Sequence, residues 1–297
     1  MKGAVIQVSH LTKIYGQVEA VRDVSFEVGP SRITGFLGRN GAGKSTTIKI
    51  LLGMVRPTSG TGSILGHPVT DPRENLLLRR RVAYVGEDKG LYAYMTVAEL
   101  IRFTRSFYGD WRPEVERRLL RGFQLPANRR VKALSKGMRT KLALLLALAR
   151  NPDLLILDEP TEGLDPVSIE ELLQTLAGRA AEGTAVFFSS HQLNEVERIA
   201  DDILLIDQGR LLLDISLEDL RENYRRVTLG FDGQPREEDF RLPGVARIRA
   251  AGRQLSLLTS ANAEALVDIG RGLGAVSVDV AAVSLREVFL EMVQEPK

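Results

Sequence analysis

Nine consecutive residues, Gly38-Arg39-Asn40-Gly41-Ala42-Gly43-Lys44-Ser45-Thr46, carry the strongest chemical signal in the chain. Glycines in such a run remove Cβ atoms where a backbone must curl and approach a ligand. The amide N–H groups then point inward, and the positive end of a following helix faces an anion. At this spacing Lys44 reaches the β- and γ-phosphates of a nucleotide, and the Ser45 hydroxyl holds Mg²⁺. Further on, the apolar run 154–157 ends in Asp158-Glu159. There Asp158 can bind Mg²⁺, directly or through water, and Glu159 can take a proton from an attacking water. Alone, that pair reads as a charged turn; downstream of a phosphate loop it reads as the second half of a hydrolytic site. Ser135 has the type and position of a helix N-cap, and a helix start carrying a hydroxyl and a glycine, here Gly137, is also an anion site.

These residues need elements to hold them. The spacing predicts strands over 4–8, 24–28 and 33–37, the last leading into the phosphate loop, with an apolar-periodic helix after it. Tyr15 stands before a turn glycine, residues 60–66 read as turn-rich, and a strand follows over 81–85. From Asp88 to about Arg150 the pattern turns helical, opened by Thr96 and Glu99 in a capping-box spacing. Met138, Leu142, Leu145, Leu146 and Ala149 then form one apolar helical stripe. Apolar runs at 154–157 and 184–189, joined by a helix over 169–181, make a β-α-β unit suited to a parallel sheet. Asp207-Gln208-Gly209 reads as a hairpin turn, and a helical stretch over 217–224 marks a boundary. Beyond it, alternating Val227, Leu229 and Phe231, Leu255 and Leu257, and Val276, Val278 and Val280 describe a small α+β domain without catalytic residues.

Composition narrows the class. At 297 residues with 44% hydrophobic side chains, the chain can bury two domain cores. A net charge of +2 gives no whole-chain footprint for nucleic acid, although residues 112–141 are locally basic, which reads as a solvated or phosphate-facing surface. The absence of cysteine excludes disulfides and fits a reducing compartment. No secretory leader is legible at the start, and no run approaches the ~18 apolar residues that span a bilayer.

Taken in order, the phosphate loop, Leu134-Ser135-Lys136-Gly137-Met138, the 155–160 strand end, Gly163-Leu164-Asp165 and Ser190-His191 resemble the nucleotide-binding subunit of an ABC transporter. The resemblance covers residues 4 to about 215. It implies an α/β P-loop NTPase core with a mixed β-sheet (residues 1–215), a helical subdomain inserted at about 88–150, and a small C-terminal α+β domain (216–297). It also implies ATP and Mg²⁺ as cofactors and a head-to-tail dimer, each ATP lying between one subunit's phosphate loop and the other's signature. By resemblance Tyr15 stacks on adenine, Ser135 and Gly137 touch the opposite γ-phosphate, Asp165 belongs to the loop between sites, and His191 links γ-phosphate and water. Arg39 stands where the family usually has proline, and Lys136 and Met138 replace the usual glycine and glutamine of the signature. Glu87 stands where the family usually offers glutamine; a carboxylate can bind Mg²⁺ but cannot donate a hydrogen bond while ionised. These variants, with 91–97 and 284–292, resemble exporter ATPases whose membrane permease is a separate chain, which puts this one on the inner face of the membrane. Exposed Tyr92 and Tyr94 would then belong to the docking surface. The alternative is a soluble ATPase of the same family acting on ribosomes or nucleic acid. Relatives of that kind carry two cassettes or long coiled-coil insertions, and this chain has one uninterrupted cassette without sustained heptads.

Overall fold

The structure, a computed structural model, describes residues 3–293. The outer ends of the two expected domains, residues 1–2 and 294–297, lie outside the described residues. Two compact units divide the chain, Met1–Asp214 and Ile215–Lys297.

The first unit opens with a hairpin of β1 (Ile6–Tyr15) and β2 (Val18–Val28), in which Tyr15 faces Val18. The sequence suggested two short strands with a loop between; the loop is the far half of both arms. Register shifts between Val8 and Ile14 break the period-two pattern, which is why those arms do not read as strands. The fully buried β3 (Ile33–Leu37) runs into the phosphate loop, and α1 (Lys44–Leu51) begins at its lysine.

Next come β4 (Ser59–Ile64) and β5 (His67–Pro68). The turn-rich reading of 60–66 is therefore corrected, since 59–64 pairs antiparallel with β1. Its glycines serve a close approach instead. Gly60 has φ +80°, and a Cβ there would lie 2.1 Å from the His10 carbonyl oxygen. The sequence reading missed α2 (Pro72–Arg81), whose capping carboxylate, Asp71, accepts from the Arg73 N–H at 2.8 Å. After β6 (Val82–Val85) the chain leaves the sheet for α3 (Val97–Arg105), α4 (Pro113–Gly122) and α5 (Lys136–Leu148). The Thr96–Glu99 capping box is formed, with bonds of 3.2 and 2.8 Å.

The chain returns as β7 (Leu154–Asp158), then α6 (Pro166–Ala181), β8 (Ala185–Ser190), α7 (Leu193–Ile199), β9 (Asp202–Asp207) and β10 (Arg210–Ser216). Strand directions are divided between two sheets. A six-stranded sheet in the order β10-β9-β3-β8-β7-β6 has parallel pairs from β9 to β6, and a four-stranded antiparallel sheet runs β2-β1-β4-β5. Phe26, Phe36 and Phe187 meet between them with ring centroids 5.3–6.0 Å apart. In the parallel sheet Leu37 pairs with Ser190 and Asp158 with Ser189. The phosphate loop, Glu159 and His191 thus emerge side by side at the carboxyl ends of β3, β7 and β8, where open α/β sheets bind ligands.

The second unit holds α8 (Leu217–Asn223), β11 (Arg225–Phe231), β12 (Val245–Ala251), β13 (Gln254–Thr259), α9 (Ala263–Gly272), β14 (Ala275–Ala282) and α10 (Leu285–Val293). Its antiparallel sheet, β12-β13-β11-β14, encloses an apolar cluster of Val227, Leu229, Phe231, Phe240, Leu255, Leu257 and Leu266.

Candidate nucleotide site

The phosphate loop takes its shape from two backbone constraints. Gly43 caps α1 at φ +109°, and a Cβ there would sit 2.5 Å from the Ala20 carbonyl oxygen, so only glycine fits. Behind the loop, the Gly209 N–H donates to the Ala42 carbonyl at 2.9 Å, while the Arg22 N–H donates to the Gly209 carbonyl at 2.7 Å. The β9–β10 turn therefore braces the loop from outside its own sequence. No side chain caps the start of α1 and no acid occupies its first turn, which leaves its amides and dipole for an anion.

Lys44 is 6% exposed, and its ammonium donates to the Gly38 carbonyl at 2.7 Å and the Arg39 carbonyl at 3.3 Å. It also lies 3.2 Å from Glu159 Oε1, an ion-pair distance at which that oxygen accepts no hydrogen bond. The other oxygen, Oε2, meets His191 Nδ1 at 2.9 Å. A buried lysine, a carboxylate and a half-exposed imidazole thus form one chain of contacts. Glu159 is turned toward its partners by a left-handed backbone, φ 48°, in the residue just after β7. That conformation costs a non-glycine residue about 1–2 kcal/mol, the kind of strain that collects at working sites.

Behind Glu159, the Ser189 hydroxyl donates to buried Asp158 at 2.6 Å and accepts from the Glu159 N–H at 3.0 Å. Buried Glu195 on α7 accepts from the Thr161 hydroxyl at 2.8 Å and the Ser190 hydroxyl at 3.3 Å. Burial pushes the Glu195 carboxyl up from its ordinary value, with the two hydroxyls pulling the other way. Burial pushes the Tyr84 hydroxyl up to about 12, helped by the charges of Asp158 and Glu87, so it keeps its proton beside the site. Lys89 donates to the Gly86 carbonyl at 2.8 Å, and burial chiefly pulls its ammonium below the usual value.

An open cleft of about 510 Å³ brings together Arg39, Asn40, Gly41, Gly43, Lys44, Ser45, Thr46, Glu87, Glu159 and His191. Ala20 and Glu162 also line it, and sequence reasoning named neither. Gly38 and Ala42 belong to the loop behind it, and Asp158 is buried beneath. Tyr15, Ser135, Gly137 and Asp165 are not in its lining. Tyr15 is half-exposed with the Lys13 ammonium 4.8 Å from its ring centre. Ser135 caps α5 by accepting from the Met138 N–H at 3.2 Å, and Asp165 caps α6 by accepting from the Ser168 N–H at 3.0 Å. The Ser168 hydroxyl also donates to Asp165, and with the N–H it holds the Asp165 carboxyl below its usual value. Gly137 lies near the Gly163 carbonyl, and Lys136 pairs with Glu162 at 2.6 Å.

The donor set suits Mg²⁺. Among the described residues no group of three His, Cys, Asp or Glu gathers as an all-protein metal cage. Ser45, whose hydroxyl lines the cleft, and Asp158, whose carboxylate is buried beneath it, offer oxygen donors of the kind Mg²⁺ takes when phosphates complete its shell.

Sheet order, loop and cleft define a P-loop nucleotide hydrolase. The model of the ABC transporter family matches residues 21–162. The chain is 37% identical to the bacitracin transport ATP-binding protein BcrA of Bacillus licheniformis over 225 residues, 75% of this chain and 73% of that one. It is 35% identical to the daunorubicin/doxorubicin resistance ATP-binding protein DrrA of Streptomyces peucetius, over 80% and 74% of the two chains. A solved ATP-binding subunit of an ABC transporter superposes with TM-score 0.67 at 35% identity, covering 73% of this chain and 92% of that one. The dimeric cassette MJ0796 superposes with TM-score 0.65 at 25% identity, covering 71% and 98%. The chain belongs to the ABC transporter ATP-binding proteins, and its activity is ATP binding and hydrolysis.

Proposed function

We propose that this chain drives an exporter whose membrane-spanning permease is a separate polypeptide, working as a homodimer with two ATP molecules between facing subunits. In each site Lys44 holds the β- and γ-phosphates, and Ser45 and Asp158 hold Mg²⁺, which when bound neutralises phosphate charge. Lys44 already donates to the Gly38 and Arg39 carbonyls and lies 3.2 Å from Glu159 Oε1, so arriving phosphate oxygens exchange for protein oxygens rather than for water. Glu159 accepts the proton of the attacking water. His191 keeps Glu159 oriented through Nδ1 and turns Nε2 toward the γ-phosphate. Tyr15 offers its exposed ring to the adenine. Ser135 and Gly137 at the start of α5 complete the opposite subunit's site, and Asp165 orders the loop between the two.

The observation that carries the reading is the position of Glu87. It lines the nucleotide cleft and also a neighbouring cleft shared with Lys89, Leu91, Ala93, Val131 and Lys136. Nearby, Tyr94, Tyr92, Phe103 and Phe107, in that spatial order, form an exposed aromatic run with successive ring centroids 5.0–5.9 Å apart. Such a surface suits an apolar partner helix. Among the described residues no helix is long and apolar enough to cross a membrane, so attachment to the inner face of the membrane comes through that partner.

The test is co-purification of the tagged chain from its own cells in mild detergent. A stoichiometric multi-span membrane protein is expected; ribosomes or DNA without one would overturn the exporter reading while leaving the ATPase intact. Glu87→Ala is expected to lower transport, and unchanged transport with unchanged ATPase would remove Glu87 from the coupling path.

A further inference from the structure

The ladder between β7 and β8 ends at the pair Asp158 and Ser189. Glu159 and His191 both lie beyond that last pair, yet their side chains meet at 2.9 Å. Apart from the Ser189 contact to the Glu159 N–H, something else must keep the two loops in step.

We infer that Glu195 is a positioning residue for hydrolysis, its single oxygen Oε2 tying the Glu159 loop to the His191 loop in place of the missing ladder. That oxygen accepts from Thr161, two residues after Glu159, at 2.8 Å, and from Ser190, one residue before His191, at 3.3 Å. All three side chains are buried: Glu195 is 5% exposed, Thr161 2% and Ser190 0%. The Ser190 hydroxyl also accepts from the Gln192 N–H at 2.9 Å, so the clamp fixes the backbone on both sides of His191.

The clamp itself is anchored. Its helix, α7, lies against β3 at a point where the strand has no side chain. A Cβ on Gly35 would fall 2.4 Å from Val196 Cγ1, the neighbour of Glu195. Glu195 therefore has little freedom to move away from the two hydroxyls.

The chemistry of the group argues for a task beyond packing. The second oxygen, Oε1, is buried and accepts no hydrogen bond. A buried carboxylate with half its capacity unused is costly, and an alkyl side chain would fill the space more cheaply. What an alkyl group cannot do is let one atom accept from two hydroxyls on separate loops.

The test is steady-state ATPase of the full chain with Glu195→Ala, Glu195→Gln and Thr161→Val. A reacting group displaced by about 1 Å can lose about a hundredfold in rate. Glu195→Ala is thus expected to cut kcat by about tenfold or more while KM for ATP stays near wild type. Glu195→Gln keeps an acceptor oxygen and restores most of the rate. Thr161→Val, which deletes one donor and leaves α7 untouched, lowers kcat even if Glu195→Ala fails to fold. Adding it to a folded Glu195→Ala costs little more, because both break one clamp.

A readout independent of turnover uses the three histidines of the chain, 15N-labelled, with the His191 signal assigned by its loss in His191→Ala. The Nδ1 shift of His191 should move in Glu195→Ala and Thr161→Val and stay in place in Glu195→Gln. Wild-type kcat and an unmoved Nδ1 shift in folded Glu195→Ala would overturn the inference. So would Glu195→Gln failing as badly as Glu195→Ala, or Thr161→Val without effect.

Discussion

The larger unit buries Lys44, Asp158, Thr161, Ser189, Ser190 and Glu195 at the carboxyl ends of three parallel strands, whereas the described residues of the smaller unit bury hydroxyls, such as that of Thr259, but no fully buried charged side chain. Thr259 serves its own fold by donating to the Gly244 carbonyl at 3.1 Å. Both units have an apolar core beneath a sheet, but only the larger one spends that core's low dielectric on charge. Groups such as Lys44 and Glu159 interact more strongly when water is excluded, and they are strained or partly unpaired as a result. The smaller unit's ion pairs keep some contact with solvent: Arg226 meets Glu287 at 3.0 Å and Glu291, 15% exposed, at 3.5 Å. The contrast places the hydrolytic chemistry in the larger unit.

That assignment can be broken at several strengths. Glu159→Gln should lower phosphate release by about 10²–10⁴-fold, the usual worth of a general base, while ATP-dependent dimerisation on a sizing column persists. Retained turnover would take Glu159 out of the base role. Gly43→Ala must fit a Cβ 2.5 Å from the Ala20 carbonyl oxygen at φ +109°, so nucleotide affinity in a titration should fall by at least about tenfold, or 1.4 kcal/mol.

In the smaller unit, Leu229→Ala empties part of a fully buried cluster and should cost that unit about 2–5 kcal/mol in denaturant unfolding. Nucleotide affinity should not change; if it does, the division of labour is wrong.

The smallest effect concerns the start of α10. Glu287 accepts from the Ser284 N–H at 2.9 Å, which with the Ser284 hydroxyl and Arg226 holds its carboxyl below the ordinary value. A carboxyl depressed in the folded state stabilises fully above its unfolded pKa and loses that contribution as pH falls through the folded one. Glu287→Gln should therefore flatten the decline in unfolding free energy between about pH 5 and pH 3, and leave stability near pH 7 lower by a fraction of the wild-type value.

What the sequence made legible was local. The phosphate loop, the Asp158-Glu159 strand end, the Thr96 capping box and the alternating tail each declare themselves within a dozen residues, because strand, turn and cap signals are short-range. The far arms of the β1–β2 hairpin were hidden by register shifts that scramble alternation. Gly60 was misread because a glycine demanded by a neighbouring backbone looks the same as one demanded by a turn. In α2, Asp71, Pro72 and three closing arginines mark both ends, but the leucines between, at 76, 77 and 78, are consecutive and so lack the spacing of an apolar stripe. Glu195 was invisible for another reason. Its partners Thr161 and Ser190 come from the turn after β7 and the end of β8, and only the folded sheet brings them within reach.

The brace of Gly209 against Ala42 bears on how mutations in this protein sort into phenotypes. A random-mutagenesis screen scored on lost nucleotide binding should return hits in the 208–209 turn as well as in the phosphate loop. A screen scored on protein abundance should pass over them. Plotted along the chain, such hits would suggest a second binding motif far from the first. They would instead be marking the outer wall of the same loop.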